Sequence, residues 1–182
     1  MRTVYYTAST MDGFIADASD SLDWLFVRDQ DHEGPLNYDA FFAGVGSMVM
    51  GATTYEWILR HEGAKPDLTW PYSIPCWVLT HRDLEAAHES IRFARGDVAD
   101  LHAELVAAAA GKDVWVVGGG DLAGQFADRG LLDELIVYYA PVSLGAGRPL
   151  LPRRQELEVI DVARNRDFLC AHYRVVKQPV EG

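Results

Sequence analysis

Between residues 113 and 140 two short apolar runs, DVWVVG and ELIVYYA, enclose three consecutive glycines and the helix-like stretch GDLAGQFADRG. A strand without polar alternation fits a sheet covered on both faces, and a helix set between two such strands fits parallel pairing. The same alternation runs upstream. TVYYTAS (3–9) is β-rich and is followed by a turn at Asp12-Gly13 and by LDWLF; YDAFFAGV reads as a short helix, SMVMG as a buried strand ending at Gly51, ATTYEWILR as a helix, CWVLT as a strand and IRFAR as a short strand. The strongest helix is DVADLHAELVAAAA, residues 97–110, with Asp97 as N-cap, Leu101 and Leu105 on one face and Gly111 as the stop. KPDLTWPYSIP is an irregular connection, and the tail LEVIDVARNRDFLCAHYRVVK reads as two strands around a turn near Asn165–Asp167. The pattern predicts an α/β fold, a mostly parallel sheet with helices on both faces and an antiparallel C-terminal edge hairpin. One domain is expected over 1–177, with 178–182 a frayed tail.

Charge narrows the partners. Acidic residues outnumber basic ones by 27 to 16, a net charge of −11, whereas nucleic acid and anionic membranes demand clustered Lys and Arg. An anionic ligand must therefore be met locally, by helix N-termini and a few placed side chains. Cys76 and Cys170 lie in strand-like runs and are expected as buried free thiols. The six histidines are dispersed and imply no metal site. With no signal-peptide h-region or membrane-length apolar run, a reducing cytoplasm is the expected compartment.

The glycines Gly118, Gly119 and Gly120 have two readings. A strand, a glycine turn and a helix N-terminus present unpaired N–H groups to phosphate; the same glycines also suit a tight turn and nothing more. A P-loop is excluded because no Gly-Lys-Ser/Thr follows, and Gly124, four residues after Gly120, has the wrong spacing for a Rossmann fingerprint.

The surrounding run VWVVGGGDLAGQFADRGLLDELIVYYAPVSLGAGRPLLP resembles the C-terminal half of the dihydrofolate reductase-like superfamily, most closely the reductase domain of riboflavin biosynthesis, the RibD C-terminal domain family. TASTMDGFIA resembles that family's first strand and its S-x-DG-x-IA loop, MGATTYEW its MGRxTYE turn, and WVLTHRDL its strand ending in a Thr/Ser-Arg cluster. The resemblance spans nearly the whole chain and implies a three-layer α/β/α dihydrofolate reductase-like fold, a cis peptide at Gly118–Gly119 and NADPH as cofactor.

Residue by residue, the resemblance implies that Ala8 and Ile15 flank the nicotinamide, that Gly51, Thr53 and Thr54 serve the second helix N-terminus, and that Thr80, His81 and Arg82 meet the adenosine 2'-phosphate. Gly118, Gly119, Gly120, Asp121 and Leu122 would hold the pyrophosphate. Ala52 departs from the pattern, standing where the family commonly has Arg. Read from the residues alone, Ala8 and Ile15 are equally core positions, the threonines equally helix caps, and Thr80–Arg82 equally a solvated turn. Asp12 and Asp39 are the catalytic candidates, as proton donors or substrate orienters, beside Tyr38 and water; Asp12 also suits a turn and Asp39 a solvated helix face. Trp24, Phe41, Phe42, Tyr55 and Trp57 fit either a stack for a heteroaromatic substrate or the core, and Trp70 fits an entrance.

The function implied is an NADPH-dependent reductase of the 5-amino-6-(5-phosphoribosylamino)uracil reductase type, acting on a pyrimidine- or pterin-like small molecule, without the zinc deaminase half because the combined H-x-E and P-C-x-x-C signature is absent: no P-C-x-x-C occurs in the chain. Two alternatives stand beside it: a dihydrofolate or pterin reductase, and a non-catalytic nucleotide-binding or scaffold homologue. The family resemblance also implies a homodimer, with the strand IVYYAPV as one source of an apolar edge.

Overall fold

A computed structural model describes residues 1–63 and 70–177. The expected tail at 178–182 and most of the first half of the proline-bearing connection lie outside the described residues. In chain order the elements are β1 (Thr3–Thr10), β2 (Phe14–Ala16), α1 (Asp23–Phe26), α2 (Tyr38–Ala43), β3 (Val45–Gly51), α3 (Ala52–Gly63), β4 (Cys76–Leu79), β5 (Ile91–Ala94), α4 (Val98–Ala109), β6 (Asp113–Gly118), α5 (Gly120–Asp128), β7 (Glu134–Ala140), β8 (Arg148–Pro149), β9 (Leu157–Asn165) and β10 (Phe168–Val175).

Eight strands form one sheet in the order β5-β4-β3-β6-β1-β7-β10-β9. Every pair from β5 to β7 is parallel, whereas β10 runs antiparallel to both β7 and β9. The α/β class and the antiparallel edge hairpin are as the residue pattern predicts. A second, two-stranded sheet pairs β2 with β8. That pairing has no counterpart in the sequence reading, because a two-residue strand containing proline has no periodicity to detect.

Strand alternation sorts the core into layers. Val114 and Val116 face α4 and α5, packing with Leu101, Leu105, Leu122 and Phe126, while Trp115 between them faces Met48, Tyr55 and Ile58 on the α3 side. A third cluster under α1 joins Trp24, Tyr138, Phe168 and Cys170. Burying a leucine such as Leu105, which is fully covered, contributes about 1.5–3 kcal/mol. Helix α4 approaches β3 so closely that a Cβ on Gly46 would lie 2.1 Å from the Ala109 carbonyl oxygen.

The capping of α4 departs slightly from expectation. Asp97 accepts a hydrogen bond from the Ala99 N–H at 2.8 Å, as an N-cap does. The helix ends one residue early, because Ala110 itself takes the left-handed conformation (φ 51°) ahead of Gly111 (φ 87°). At the hairpin between β9 and β10 the left-handed residue is Arg166 (φ 51°). Both cysteines are free and buried, and burial pushes the Cys76 thiol up to about 12, which keeps it protonated and inert. Among the described residues no helix is long and apolar enough to cross a membrane, and no grouping of His, Cys, Asp or Glu suits a metal.

Candidate active site

The central strands deliver their C-terminal ends to one edge of the sheet, and a two-lobed cleft opens there. The first lobe, about 480 Å³, lies between the amino ends of α3 and α5 and is closed by Ile15 and by Arg148–Pro149. The second, about 530 Å³, is walled by rings: Tyr6, Tyr38, Trp57, Trp115 and Tyr138. Thr7, Leu22, Thr54, Trp57 and Val117 line both lobes.

The three glycines are required for different reasons. Gly119 turns the chain from β6 into α5 with φ 35° and ψ 137°, a region hostile to a Cβ, and a Cβ there would meet nothing within 4 Å. Gly120 has no such conformational demand; a Cβ there would lie 2.1 Å from the Pro149 carbonyl oxygen and 2.5 Å from that of Leu150. The close backbone approach at Gly120 therefore comes from the chain's own β8 segment, and the open side of the turn belongs to Gly119. The cis peptide implied by the family is a correction: no cis bond occurs among the described residues, so Gly118–Gly119 is trans, and the positive φ of Gly119 makes the turn instead.

Helix α5 has no side-chain N-cap, so its first-turn N–H groups, on Gly120, Asp121 and Leu122, stand without helical partners. Asp121, at the rim, is neutralised from outside the lobe. Gln125 and Arg153 both bond its carboxylate, at 2.9 and 2.8 Å, and hold it below the usual carboxylate range. Across the lobe Arg148 grips Asp20 through two bonds of 2.6 and 3.1 Å, which lowers the Asp20 pKa and raises that of Arg148. Thr54 stands opposite the turn, its Oγ1 3.3 Å from where a Gly118 Cβ would be.

In the second lobe the phenols are committed to structure. Tyr6 donates to the Leu36 carbonyl at 3.1 Å; Tyr138 donates to that of Pro35 at 2.9 Å and accepts from Asn165 Nδ2 at 3.2 Å. Burial pushes the Tyr138 hydroxyl up to about 12 and raises Tyr6 and Tyr38 as well, so all three stay neutral at ordinary pH. Tyr6 stacks on Phe41 with centroids 4.5 Å apart, and the Trp115 indole donates to the Tyr6 carbonyl at 3.1 Å. At the mouth Phe26 and Trp57 both stack on His61, at 5.0 and 4.8 Å.

The structure thus gathers Ile15, Thr53, Thr54, Gly118, Gly119, Gly120 and Asp121 around the first lobe and Ala8 around the second. Gly51 ends β3 just behind α3, and the Leu122 side chain is buried in the core. Thr80, His81 and Arg82 lie elsewhere. Thr80 Oγ1 accepts the Arg82 N–H at 3.0 Å, Arg82 pairs with Glu56 at 2.9 Å, and His81 borders a separate depression with Gly96, Asp97, Gln125 and Arg129.

Neither catalytic candidate lines either lobe. Asp39 is exposed on α2. Asp12 accepts from Thr10 Oγ1 (2.6 Å), Gly145 N–H (2.7 Å), Ser143 Oγ (2.9 Å) and Leu144 N–H (3.1 Å), tying the β1–β2 turn to the loop after β7. Trp57 lines both lobes, Trp24 and Tyr55 are buried in the core, and Phe41 and Phe42 pack beside the latter. Asp20, Arg28, His61 and Arg148 join the site without a local signal; each is an isolated polar residue whose place depends on the sheet.

Known proteins resemble this chain in sequence and in fold. The RibD C-terminal domain model matches residues 69–170. The uncharacterized protein YwjB of Bacillus subtilis is 32% identical over 82% of this chain and 82% of its own length. The riboflavin biosynthesis protein RibD of Corynebacterium ammoniagenes is 32% identical over 79% of this chain, which corresponds to only 44% of that protein. Among solved structures, a putative riboflavin biosynthesis protein from Shewanella sp. PV-4 superposes with a TM-score of 0.80 at 28% identity, covering 97% of this chain and all of that one. Enterococcus faecalis dihydrofolate reductase, at 15% identity, a TM-score of 0.57 and 97% coverage of both chains, shares the fold. By sequence and by architecture, the chain belongs to the RibD C-terminal domain family and carries the dihydrofolate reductase-like fold.

Proposed function

We propose that this chain is an NADPH-dependent reductase, similar to the riboflavin-pathway reductases, which delivers hydride to a C=N or C=O carbon of a planar, pyrimidine-like substrate. The observation that carries this reading is the shared wall of the two lobes. A ring lodged beside Ile15 in the first lobe would meet, across Thr7, Thr54 and Val117, a second ring held in the second lobe by Tyr6, Trp57 and Trp115, with Ala8 at the junction.

The first lobe fits the cofactor's pyrophosphate. Its floor is an uncapped helix N-terminus with orphan donors, its turn has open space at Gly119, and its two acidic neighbours, Asp20 and Asp121, are already engaged by Arg148 and Arg153. Thr53 and Thr54 add hydroxyls from α3, behind which Gly51 brings the backbone of β3 to the same edge. Gly118, Gly119, Gly120, Asp121 and Leu122 contribute main-chain groups, while Thr80, His81 and Arg82 receive the adenosine 2'-phosphate, with Arg82 released from Glu56. Ala52 supplies no cation there. Bound NADPH supplies the hydride from C4 of its nicotinamide. The chain orients the rings and excludes water from between them. Among the described residues no carboxylate lines the second lobe, and Tyr6, Tyr38 and Tyr138 are held neutral, so the accompanying proton comes from solvent at the lobe mouth.

The protein is further read as a homodimer closed by the free edge of β9 and the apolar side chains of Val159, Val162 and Leu169, which are 59%, 66% and 65% exposed. Buried reduced thiols suit a cytoplasmic setting.

Titration with NADPH and with NADH, followed by tryptophan quenching, tests the cofactor. Binding of NADPH at micromolar concentration, weakened about tenfold by Arg82→Ala while NADH is unaffected, is the expected result, since one lost charge-assisted phosphate contact is worth about 1.5–3 kcal/mol. If neither cofactor binds, the reductase reading falls and a scaffold role takes its place.

A further inference from the structure

The first lobe keeps a guanidinium in reserve. Its charged lining residues are Asp20, Asp121 and Arg148, and Asp121 is tied to Gln125 and Arg153 on the outer side. Among the described residues Arg148 is the only basic side chain lining the lobe, since neither α3 nor α5 sends a cation into it. Arg148 is occupied by Asp20: Nε donates to Oδ1 at 2.6 Å and Nη2 to Oδ2 at 3.1 Å. That planar edge is the one that also matches a pair of phosphate oxygens.

Each partner is held in place without the other. Arg148 pairs through its backbone with Ala16 in the β2–β8 sheet. A Cβ on Gly147 would lie 2.2 Å from the Ala16 carbonyl oxygen, and the Pro149 carbonyl presses on Gly120 at the start of α5. The main chain on both sides of Arg148 is thus packed against the lobe, and turning its guanidinium from Asp20 to a bound anion takes side-chain rotation alone. The Asp20 turn closes on itself: Asp17 Oδ1 accepts the N–H groups of Ser19 and Ser21, both at 2.8 Å, and the Asp17 N–H donates to the Ser21 carbonyl at 3.1 Å. Asp20 sits there in the left-handed region, φ 62°, which Asp tolerates better than most residues. The two side chains are 57% and 27% exposed, and ion pairs in contact with water contribute little to stability. The Asp20 carboxyl is lowered first by its bonds to Arg148 and also by the charge of Arg60 on α3, so a cation stays nearby when Arg148 turns away.

We infer that Arg148 is a diphosphate-binding residue and that Asp20 is its built-in competitor, an autoinhibitory contact that holds the guanidinium until the diphosphate of an incoming ligand takes it. The inference rests on the reductase reading for the identity of that diphosphate as part of NADPH. A diphosphate carries more negative charge than one carboxylate and attracts the same fork more strongly. Asp20 remains on the lobe wall after the exchange and repels the bound anion, so its carboxylate opposes binding at both stages. Affinity is thereby kept moderate, which lets a spent cofactor leave.

The test is a tryptophan-fluorescence titration with inorganic pyrophosphate and, separately, NADPH in phosphate-free buffer, with Trp57 on the lobe wall as reporter. The proteins are wild type, Asp20→Asn, Asp20→Gly, Arg148→Gln and Arg174→Gln, the last removing a cation paired with Glu158 at 2.6 Å outside both lobes. Arg148→Gln should weaken both ligands about tenfold, as loss of a charge-assisted phosphate contact does. Asp20→Asn should tighten both about threefold, the scale of a broken exposed ion pair, and Arg174→Gln should behave as wild type. Should Asp20→Asn not fold, Asp20→Gly, which suits the left-handed backbone and also lacks the carboxylate, must tighten binding instead. Carbon-13 spectra should show the Asp20 carboxyl titrating at higher pH under saturating pyrophosphate, because its partner has left. Binding that is unchanged or weaker in the Asp20 variants makes Asp20 a support for Arg148 and overturns the inference, as does undiminished binding by Arg148→Gln. Pyrophosphate binding with the expected pattern but no NADPH binding removes the reductase reading and keeps the exchange, whereas NADPH binding indifferent to both residues removes this inference alone.

Discussion

Replacing each of two adjacent glycines by alanine separates a packing requirement from a functional opening. In Gly120→Ala the new methyl would sit 2.1 Å from the Pro149 carbonyl oxygen, where a relaxed C···O contact is about 3.3 Å. The β8 backbone must retreat by roughly 1 Å, and overpacking of this kind costs about 1–3 kcal/mol. Both obstructing oxygens belong to backbone, at Pro149 and Leu150, so the upper end applies. At this chain length each kcal/mol moves Tm by about 2–4 °C, and ~3 kcal/mol lowers it by about 6–12 °C. Gly119→Ala meets no atom within 4 Å but places a Cβ at φ 35°, a strain of about 1–2 kcal/mol, or roughly 2–8 °C. Its methyl enters the first lobe, so NADPH binding should weaken tenfold or more. Differential scanning calorimetry and cofactor titration on both variants decide the matter. A Gly120→Ala protein melting within about 2 °C of wild type, or one less damaged than Gly119→Ala, would refute the assignment of roles.

Asp12 gives a pH dependence with a definite sign. Its bonds to Thr10, Gly145, Ser143 and Leu144 depress its pKa well below the ordinary carboxylate value, so its stabilisation is fully present above about pH 4 and is lost as pH falls toward the folded-state pKa. Thermal melts of Asp12→Asn should show a lower Tm at neutral pH and a shallower loss between pH ~4 and ~2 than wild type; parallel curves would remove Asp12 as the holder of the 143–145 loop. Val162→Lys, placed on the exposed face of β9, should convert a particle of twice the monomer mass to a monomer in light scattering, while wild type that is monomeric at all concentrations would sink the dimer. Leu105→Ala, at a fully buried site, should cost about 2–5 kcal/mol in chemical denaturation and leave NADPH affinity unchanged.

Much of the scaffold was legible because its signals are local. Asp97 and the alanines of α4, the glycines bounding β3 and α5, and the turn at Arg166 all act within a few residues, where capping and turn chemistry operate. The lobes were less legible because their walls are assembled across strands. Tyr6, Trp115 and Tyr138 sit on β1, β6 and β7 and meet only when those strands pair; alternation in each strand defines two faces without saying which one opens to a ligand. Gly120 illustrates the same limit, since its obstacle lies at Pro149 and Leu150, far along the chain. Arg28 carries no motif at all, and its place in the second lobe exists only in three dimensions.

The first strand occupies the middle of the sheet. Thr3 pairs with Val114 and Val4 with both Trp115 and Glu134, so β1 must wait for segments more than a hundred residues downstream before either of its edges is satisfied. Such long-range closure is slow and leaves apolar edges bare in the meantime. The first lobe has the same timetable, with lining residues from Thr7 to Pro152. During synthesis, then, ligand affinity should arise abruptly and late: ribosome-bound chains ending before β8 would retain no cofactor, although every parallel strand of the sheet had already been made.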